Sequence, residues 1–228
     1  PGVLNGDPEV VRKMEIAKKY RLKIDGHAPL LSGSALKKYI QADISTDHEC
    51  SNPDEALEKI AGGMKILIRE GSAAKNYNAL KPLIASHPDV LMFCTDDAHP
   101  DEIIRNGHID QLVRLALRDG FDLFTVLKIA CLNPVKHYHL PVGTLREGEN
   151  ADFIRIENLD SFEVLEAYKD GRKVYKKGKN SISDSQDSTD FSDMNRFAQQ
   201  KIELSVLKKS VLPERNLCIT LTDGEIIT

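Results

Sequence analysis

Residues 90–100 have the sequence VLMFCTDDAHP, in which the most hydrophobic predicted strand is followed at once by polar side chains. A continuous apolar run of this length is typical of a strand that is covered on both faces, as in a parallel sheet between helices. The carboxylates of Asp96 and Asp97 and the imidazole of His99 come directly after the strand, and Pro100 is placed to begin a helix. The segment therefore predicts a strand, a loop of ionisable residues and a helix, in that order.

The same alternation of strand and helix occurs three more times upstream. Asp7 and Asn52 each precede a proline, which predicts a capped helix start, and the glycine pair at residues 62–63 predicts a helix end. Pro82 predicts an interruption in the fourth helix. Strands are predicted at residues 22–27, 42–48, 64–69 and 90–95, and helices at residues 7–20, 34–41, 52–63 and 72–86. Four such units indicate an α/β fold with βα repeats and a parallel sheet.

The pattern changes near residue 140. Upstream of that point, helices are predicted at about residues 100–106, 109–119, 122–131 and 134–138. Asn133 before Pro134 predicts a cap for the last of them. Downstream, a small β unit is predicted, with strands at residues 151–156, 164–168 and 173–175 around a hairpin turn at 169–172. Residues 178–193 are rich in Ser, Asp and Lys, which predicts a linker or mobile loop. From Met194 onward we expect a short helix and a strand with too little core to fold alone.

Composition argues against several classes of function. The 228-residue chain carries a net charge of -4, and phosphate binding needs a basic surface, so we expect no nucleic-acid partner. The sequence has no run of about eighteen apolar residues, and we expect no membrane span and no secretory signal in residues 1–20. Its four cysteines form no CxxC pair, which indicates reduced, mostly buried thiols and a cytoplasmic location. Because the chain begins with Pro1 rather than Met, we expect a segment upstream of it.

Three clusters of polar residues lie at predicted strand ends, at residues 26–29 (GHAP), 46–49 (TDHE) and 95–100 (TDDAHP). In a parallel βα barrel all strands end at the same face, so His27, His48 and Asp96 are expected to converge although 21 and 48 residues separate them. Two imidazoles and a carboxylate are competent ligands for a divalent transition metal. Taken singly, each histidine is more typical of a surface or hydrogen-bonded residue, and Asp96 of a helix cap. Together the clusters predict a metal-dependent hydrolase and leave its substrate open.

Several stretches of the chain resemble bacterial adenine deaminases of the amidohydrolase superfamily. The resemblance covers about residues 1–178 and is carried by residues 26–29 (GHAP), 45–50 (STDHEC), 68–73 (IREGSA), 93–100 (FCTDDAHP), 107–110 (GHID), 132–134 (LNP), 143–145 (GTL) and 148–152 (GENAD). The DHEC and TDDxHP pieces are specific to adenine deaminases, whereas the strand-end His and Asp residues are shared by the superfamily. One departure is the pair Leu30-Leu31, where a glycine is more usual, and we expect only a loop adjustment there.

This resemblance implies the C-terminal half of a (β/α)8 barrel of the TIM type, with a small β-sandwich element. It assigns residues 1–140 to the second half of the barrel, 141–178 to the sandwich strands, and 179–228 to a linker and the start of a C-terminal domain. The HxH pair and the bridging carboxylate that the family carries on strands one and four would precede Pro1. We therefore expect this chain to hold half of the metal site and to be inactive alone.

The resemblance also implies an activity, the hydrolysis of adenine to hypoxanthine and ammonia in purine salvage, at a divalent and dinuclear centre of manganese, iron or zinc. By position, His27 and His48 match metal-binding histidines of the family, and Asp96 matches an aspartate that binds metal and carries protons. Asp96 would take a proton from the attacking water and pass it to the departing amine. Glu49, or a carboxylate upstream, would protonate the ring nitrogen beside C6.

Contacts to the substrate are predicted at Ser72, Asp97 and His99. Asp97 and His99 could equally cap the helix that begins at Pro100, and His108 is expected to be structural. The expected partners are the small molecule adenine and further copies of the same chain in a homo-oligomer, with no nucleic acid and no membrane.

Two alternatives stay open. Another amidohydrolase, such as a cyclic amidase or a dipeptidase, would share the strand-end His and Asp residues but not residues 47–50 (DHEC). A non-catalytic barrel fragment would bind no metal, although intact His27, His48 and Asp96 argue against degeneration. A nucleic-acid deaminase is disfavoured because its HxE and PCxxC zinc signature is absent.

Overall fold

The computed structural model describes residues 1–181 of the chain. It is an α/β structure, as predicted. Helices alternate along the chain with the strands of a parallel sheet, and an antiparallel sheet follows. Within these residues, none of the helices combines the length and the apolar character that a bilayer span requires. The end of the linker predicted from residue 178 and the further domain predicted after it fall on residues 182–228, which lie outside the described residues.

The helices of the described residues are α1 (Gly2–Asn5), α2 (Pro8–Lys19), α3 (Gly33–Gln41), α4 (Pro53–Ala61), α5 (Tyr77–Leu80), α6 (Leu83–Ser86), α7 (Pro100–Asn106), α8 (Ile109–Arg118), α9 (Leu123–Leu127) and α10 (Asn133–Tyr138), with a 3-10 turn at Pro88–Val90 and a π-helical turn at Lys128–Leu132. Two of these helices, α2 and α4, begin at caps that the sequence predicts. The Asp7 carboxylate accepts hydrogen bonds from the N–H groups of Glu9 and Val10. Asn52 accepts one from the N–H of Glu55. The caps at Asp7 and Asn52 are therefore confirmed, and each satisfies N–H groups that have no partner inside the helix. The cap predicted at Asn133 is wrong, because Asn133 lies inside α10 and its side chain donates to the carbonyl oxygens of Pro88 and Leu91.

The parallel sheet places successive strands side by side. Its order is β1 (Thr46–Asp47), β2 (Lys65–Arg69) and β3 (Leu91–Cys94), and a parallel bridge between Ile24 and Ile44 adds a fourth position beside β1. Spatial order thus follows chain order, as in consecutive βα units of a barrel.

Three predicted elements are wrong in extent. The strand predicted at residues 42–48 is shortened to β1, with an isolated bridge at Ile44. The strand predicted at residues 22–27 is reduced to a single bridge at Ile24. Within the described residues, Ile24 pairs with a neighbouring segment on one side only. The helix predicted at residues 72–86 is replaced by a tight loop, closed by a bridge between Glu70 and Lys75, and by the short helices α5 and α6. Pro82 separates these helices because it lacks the N–H that a continuous helix needs.

The main hydrophobic core joins β2 and β3 to the helices that follow them. Ile66 and Ile68 of β2 are fully buried in it, together with Leu112 of α8 and Val126 of α9. Burial of each such side chain stabilises the fold by about 1.5–3 kcal/mol. A second, smaller core contains Ala28, Leu36, Tyr39, Ile44 and Met64. It fixes α3 beneath the loop that carries His27.

The C-terminal part of the described chain is a four-stranded antiparallel sheet. Its strands are β4 (Phe153–Ile156), β5 (Val164–Lys169), β6 (Arg172–Lys176) and β7 (Lys179–Asn180), in that order. The predicted hairpin turn is confirmed, since Lys169 pairs with Arg172 across it. Phe162, which precedes β5, is 5% exposed and packs in the main core, so the small sheet is anchored to the barrel half. The domain boundaries near residues 140 and 178 stay a prediction.

Helix α10 buries a histidine that the sequence does not single out. His137 is buried, and its Nε2 lies 3.4 Å from the Ser45 hydroxyl. Burial, and after it the positive charges of Lys65 and Lys23, lowers the pKa of His137 to about 4. A histidine of the unfolded chain has a pKa of about 6.5. As the pH falls, the imidazole of His137 is therefore protonated in the unfolded chain before it is protonated in the folded protein.

A fall in pH from 7 to 5 is expected to destabilise the protein through His137, because between about pH 6.5 and 4 only the unfolded chain binds this proton. Between pH 7 and pH 5, this difference in pKa lowers the unfolding free energy by about 2 kcal/mol. In urea unfolding at pH 7 and pH 5, a His137→Gln variant should lose about that much of the wild-type pH dependence. Equal pH dependence in the two proteins would contradict the lowered pKa.

Candidate metal centre

Ionisable side chains converge at the carboxyl ends of the parallel strands. His27 follows the bridge at Ile24, His48 and Glu49 follow β1, and Asp96 follows β3. Parallel strands end at the same edge of a sheet, which brings together residues that are distant in sequence. The structure thus places His27, His48 and Asp96 together, at the rim where the sequence predicts them.

Glu49 lies at the centre of this group. Its Oε1 is 3.4 Å from Nδ1 of His27 and 3.3 Å from Nε2 of His48. The two imidazole rings meet edge to face, with centroids 5.4 Å apart and planes at 65°. Asp96 Oδ1 lies 3.7 Å from Nε2 of His48. The four side chains therefore face one small volume.

The separations in this group fit a shared metal ion. Ligand atoms of His27, His48 and Glu49 all lie within 4.8 Å of one another, and bonds of about 2.0–2.2 Å to one ion would place its ligands about 3.5 Å apart. Imidazole and carboxylate donors suit manganese, iron and zinc alike. The tightest trio contains Glu49, whereas the sequence predicts Asp96 as the third ligand. Asp96 stands next to His48, at the edge of the same group.

The guanidinium of Arg69, at the end of β2, holds the two carboxylates of the rim. Arg69 is 3% exposed. Its Nη1 donates to Glu49 Oε1 and, over 2.8 Å, to Asp96 Oδ2. One guanidinium neutralises only one of the two carboxylates, so the group keeps a negative charge that favours binding of a cation.

The backbone is strained at two positions of the rim. Asp96 has a φ of 42° and Leu30 a φ of 57°, in the left-handed region that residues with a Cβ rarely adopt. Such strain persists only where surrounding contacts hold it. The Asp96 carboxylate is held by Arg69, and the Leu30 N–H donates to Glu55 over 2.7 Å. The loop at Leu30 thus keeps a conformation that suits glycine, which agrees with the departure noted in the sequence.

Asn76 fixes the loop that carries His48. Its Nδ2 donates to the carbonyl oxygens of His48 and Cys50, each over 3.1 Å, and its Oδ1 accepts from the Arg69 N–H over 2.7 Å. Asn76 escapes prediction because residues 72–86 look helical. Gly71 precedes that predicted helix and therefore gives no signal for Asn76.

The residues predicted to contact substrate are engaged in contacts between loops. Ser72 Oγ donates to Glu102 Oε2 over 2.5 Å and accepts from the His99 N–H over 2.9 Å. Asp97 Oδ2 accepts from the Ala73 N–H over 2.8 Å. These bonds tie the loop after β2 to the loop after β3, beside the rim.

The alternative role of these residues as helix caps is not observed. No side chain forms a cap hydrogen bond at the start of α7, so neither Asp97 nor His99 caps it. His99 is exposed. The Nε2 of His108 lies 2.7 Å from the Thr95 hydroxyl, which agrees with the structural role expected for it.

The cysteines of the described residues are free and do not join the rim group. Burial raises the pKa of the Cys50 thiol, and burial raises the pKa of Cys94 to about 12. Both therefore stay protonated near neutral pH in the metal-free protein. Cys131 is exposed, unlike the mostly buried thiols predicted, and Cys218 lies outside the described residues.

Comparison with known proteins gives a consistent match. Residues 2–180 match the model of the Amidohydrolase family. The chain is 54% identical over 179 residues to the adenine deaminase of Methanosarcina mazei, covering 78% of this chain and 32% of that protein. It is 45% identical over 236 residues to the adenine deaminase of Methanosarcina barkeri, covering 100% of this chain and 42% of that protein. The chain thus spans 32% and 42% of the lengths of these two curated relatives.

A solved structure supports the fold. The β-aspartyl dipeptidase of Fervidobacterium islandicum AW-1 superposes with a TM-score of 0.59 over 80% of this chain and 56% of that protein, at 18% sequence identity. At that identity the likeness concerns the fold alone.

Replacement of Arg69 by Met is expected to destabilise the metal-free protein by about 2 kcal/mol, because two neighbouring carboxylates lose their shared cation. The side chain of Asp96 is 39% exposed, so the cost should fall below that of a fully enclosed pair. Urea unfolding measures the difference. Arg12→Met, at an exposed position of α2, is the matched control and should leave the unfolding free energy unchanged. Equal stability of the Arg69→Met variant and the wild type would show that Arg69 does not hold the carboxylates.

Proposed function

Since the chain belongs to the amidohydrolase family, we propose that the full-length protein hydrolyses adenine to hypoxanthine and ammonia. The observation that carries the proposal is the meeting of His27, His48, Glu49 and Asp96 at one rim. The proposal is supported by 54% identity to a protein named adenine deaminase. His48 also lies within residues 47–50 (DHEC), a segment that resembles adenine deaminases. Purine salvage is the metabolic role that such a reaction would serve.

His27 and His48 would hold a divalent metal, with Glu49 or Asp96 as an oxygen ligand. Manganese, iron or zinc would suit these donors, and a dinuclear centre would draw further ligands from elsewhere in the full-length protein. When bound, a divalent metal lowers the pKa of a coordinated water to about 7, which supplies hydroxide near neutral pH.

Asp96 is the proposed carrier of protons. Arg69 holds its Oδ2 over 2.8 Å, which leaves Oδ1 directed toward His48. Oδ1 would accept a proton from the attacking water and then return it to the amino group that leaves C6, first as general base and then as general acid. Its partial exposure, 39% of the side chain, would let the carboxylate meet a substrate that arrives from solvent.

Glu49 is the proposed donor to the ring nitrogen beside C6. Its Oε1 contacts both imidazoles and Arg69, so the proton would be carried by Oε2. An upstream carboxylate is the alternative donor. A Glu49→Gln variant that keeps its activity would favour that alternative.

Substrate contacts are proposed at His99, Ser72 and Asp97. His99 is exposed at the rim and has its imidazole available for a purine nitrogen. Ser72 and Asp97 hold the two loops together and would act mainly by shaping the pocket. The proposal extends to a cytoplasmic homo-oligomer that binds adenine rather than nucleic acid or a membrane, and the net charge of -4 supports the exclusion of nucleic acid.

Asp96→Asn in the full-length protein is expected to keep the fold and most of the metal but to lose turnover by about 10²–10⁴-fold, because an amide cannot accept and return the proton. Ammonia release from adenine measures turnover, and elemental analysis measures the metal. Asp101→Asn, at an exposed position of α7, is the matched control and should retain activity. Near-wild-type ammonia release by Asp96→Asn would refute the role of Asp96.

The same assay separates the proposed activity from other amidohydrolase reactions. Ring opening of dihydropyrimidines or hydantoins by the wild-type protein, without ammonia release from adenine, would favour a cyclic amidase.

A further inference from the structure

A second charged cluster lies directly beneath the rim. At its centre is Lys59 of α4, whose side chain has no exposed surface. Its Nζ donates to the Ala28 carbonyl over 2.7 Å, to Asp47 Oδ2 over 2.8 Å and to Glu55 Oε1 over 2.6 Å, and the Cys50 sulfur lies 3.6 Å away. An ammonium that is removed from water is costly unless its donors are satisfied, and here all three N–H donors have an oxygen acceptor.

The cluster has the composition of a metal site, with an ammonium at its centre. Ligand atoms of Asp47, Cys50 and Glu55 lie within 4.8 Å of one another, and the Nζ of Lys59 contacts each of the three. Burial alone would lower the pKa of Lys59, but its acidic neighbours, led by Asp47 and including Glu55, together outweigh burial, and the pKa lies above its ordinary value. Lys59 therefore stays charged at neutral pH, among three side chains of the types that bind metal ions.

Two of the three oxygen atoms that Lys59 contacts belong to the segments that carry the imidazoles, and the third belongs to Glu55 of α4 itself. Ala28 follows His27 directly in the chain, and Asp47 precedes His48 directly. The Ala28 N–H also donates to Asp47 Oδ1 over 2.9 Å. The ammonium and the carboxylate thus join the His27 loop to the end of β1.

Neutralisation of buried carboxylates does not by itself explain these contacts. A neutral carbonyl such as that of Ala28 needs no counter-ion, yet it receives one of the two shortest hydrogen bonds that the ammonium makes. Glu55 shows the same pattern, since its Oε1 accepts from the Leu30 N–H and its Oε2 from the Ser51 N–H. Both acids hold loop backbone as well as Lys59.

We propose that Lys59 is a positioning residue, a buried internal cation that fixes the spacing of His27 and His48 for the metal ion. The inference rests on the proposed function, because it concerns the same metal centre. It adds a layer of the site that makes no contact with metal or substrate. Residues that orient metal ligands in this indirect way commonly change metal affinity by about 10–100-fold when they are replaced.

The test titrates the full-length protein, stripped of metal, with cobalt(II) alone and records the visible absorption spectrum of the bound ion. Lys59→Met removes the ammonium and keeps most of the side-chain volume. Its Kd for cobalt(II) is expected to rise about tenfold or more, with a changed band shape because the two imidazoles are no longer held at their spacing. Lys38→Met, at an exposed position of α3, should keep the wild-type Kd and spectrum.

A second variant covers the case in which Lys59→Met does not fold. Lys59→Arg keeps the positive charge for Asp47 and Glu55, but its planar group is larger and would push the two loops apart. It is expected to fold and to bind cobalt(II) with a changed spectrum. If a folded Lys59→Met or Lys59→Arg variant shows the wild-type Kd and spectrum, Lys59 does not position the ligands.

The two levels of the proposal fail differently. A wild-type protein that binds no cobalt(II) stoichiometrically would overturn the proposed function and, with it, the role of Lys59. A wild type that binds cobalt(II), together with folded Lys59 variants that bind it identically, would overturn the role of Lys59 alone.

Discussion

The parallel pairing of β1, β2 and β3 is the constraint on which the rest of the structure depends. Residues 46–47, 65–69 and 91–94 pair in register, and all three strands end at the same edge. The residues just beyond those ends therefore meet, although long helical segments separate them in sequence. The buried aliphatic side chains of β2 hold this edge in place from within the core. The chemistry of the rim is thus a consequence of strand register.

Two layers of charge lie at that edge, and each is organised by one cation shared between two carboxylates. Arg69 joins Glu49 and Asp96 at the rim, and Lys59 joins Asp47 and Glu55 beneath it. In the upper layer the carboxylates exceed the cation by one charge and two imidazoles stand beside them, which makes it receptive to a metal ion. In the lower layer, backbone N–H groups of the neighbouring loops donate to the carboxylates of Asp47 and Glu55. These hydrogen bonds hold the loops that carry the residues of the rim. The two layers are continuous through the consecutive residues 47–49.

The sequence predicts much of the rim because its signals are local. A histidine or an aspartate that directly follows an apolar strand stands out, and the strand order then brings His27, His48 and Asp96 together. The residues that it does not predict act through distant contacts. Lys59 looks like an ordinary surface partner of Glu55 at a spacing of four residues, and an arginine at a strand end looks like a solvated charge. The strand predicted around Ile24 shrinks because pairing, rather than propensity, determines strand length.

We propose that residues from separate strand ends surround one cation. Crystals of the cobalt-loaded full-length protein, measured by anomalous diffraction at the cobalt edge, would locate that cation. We expect an anomalous peak about 2.0–2.2 Å from one ring nitrogen of each of His27 and His48, with a carboxylate oxygen of Glu49 or Asp96 also bound. A peak elsewhere, with both imidazoles free of metal, would contradict it.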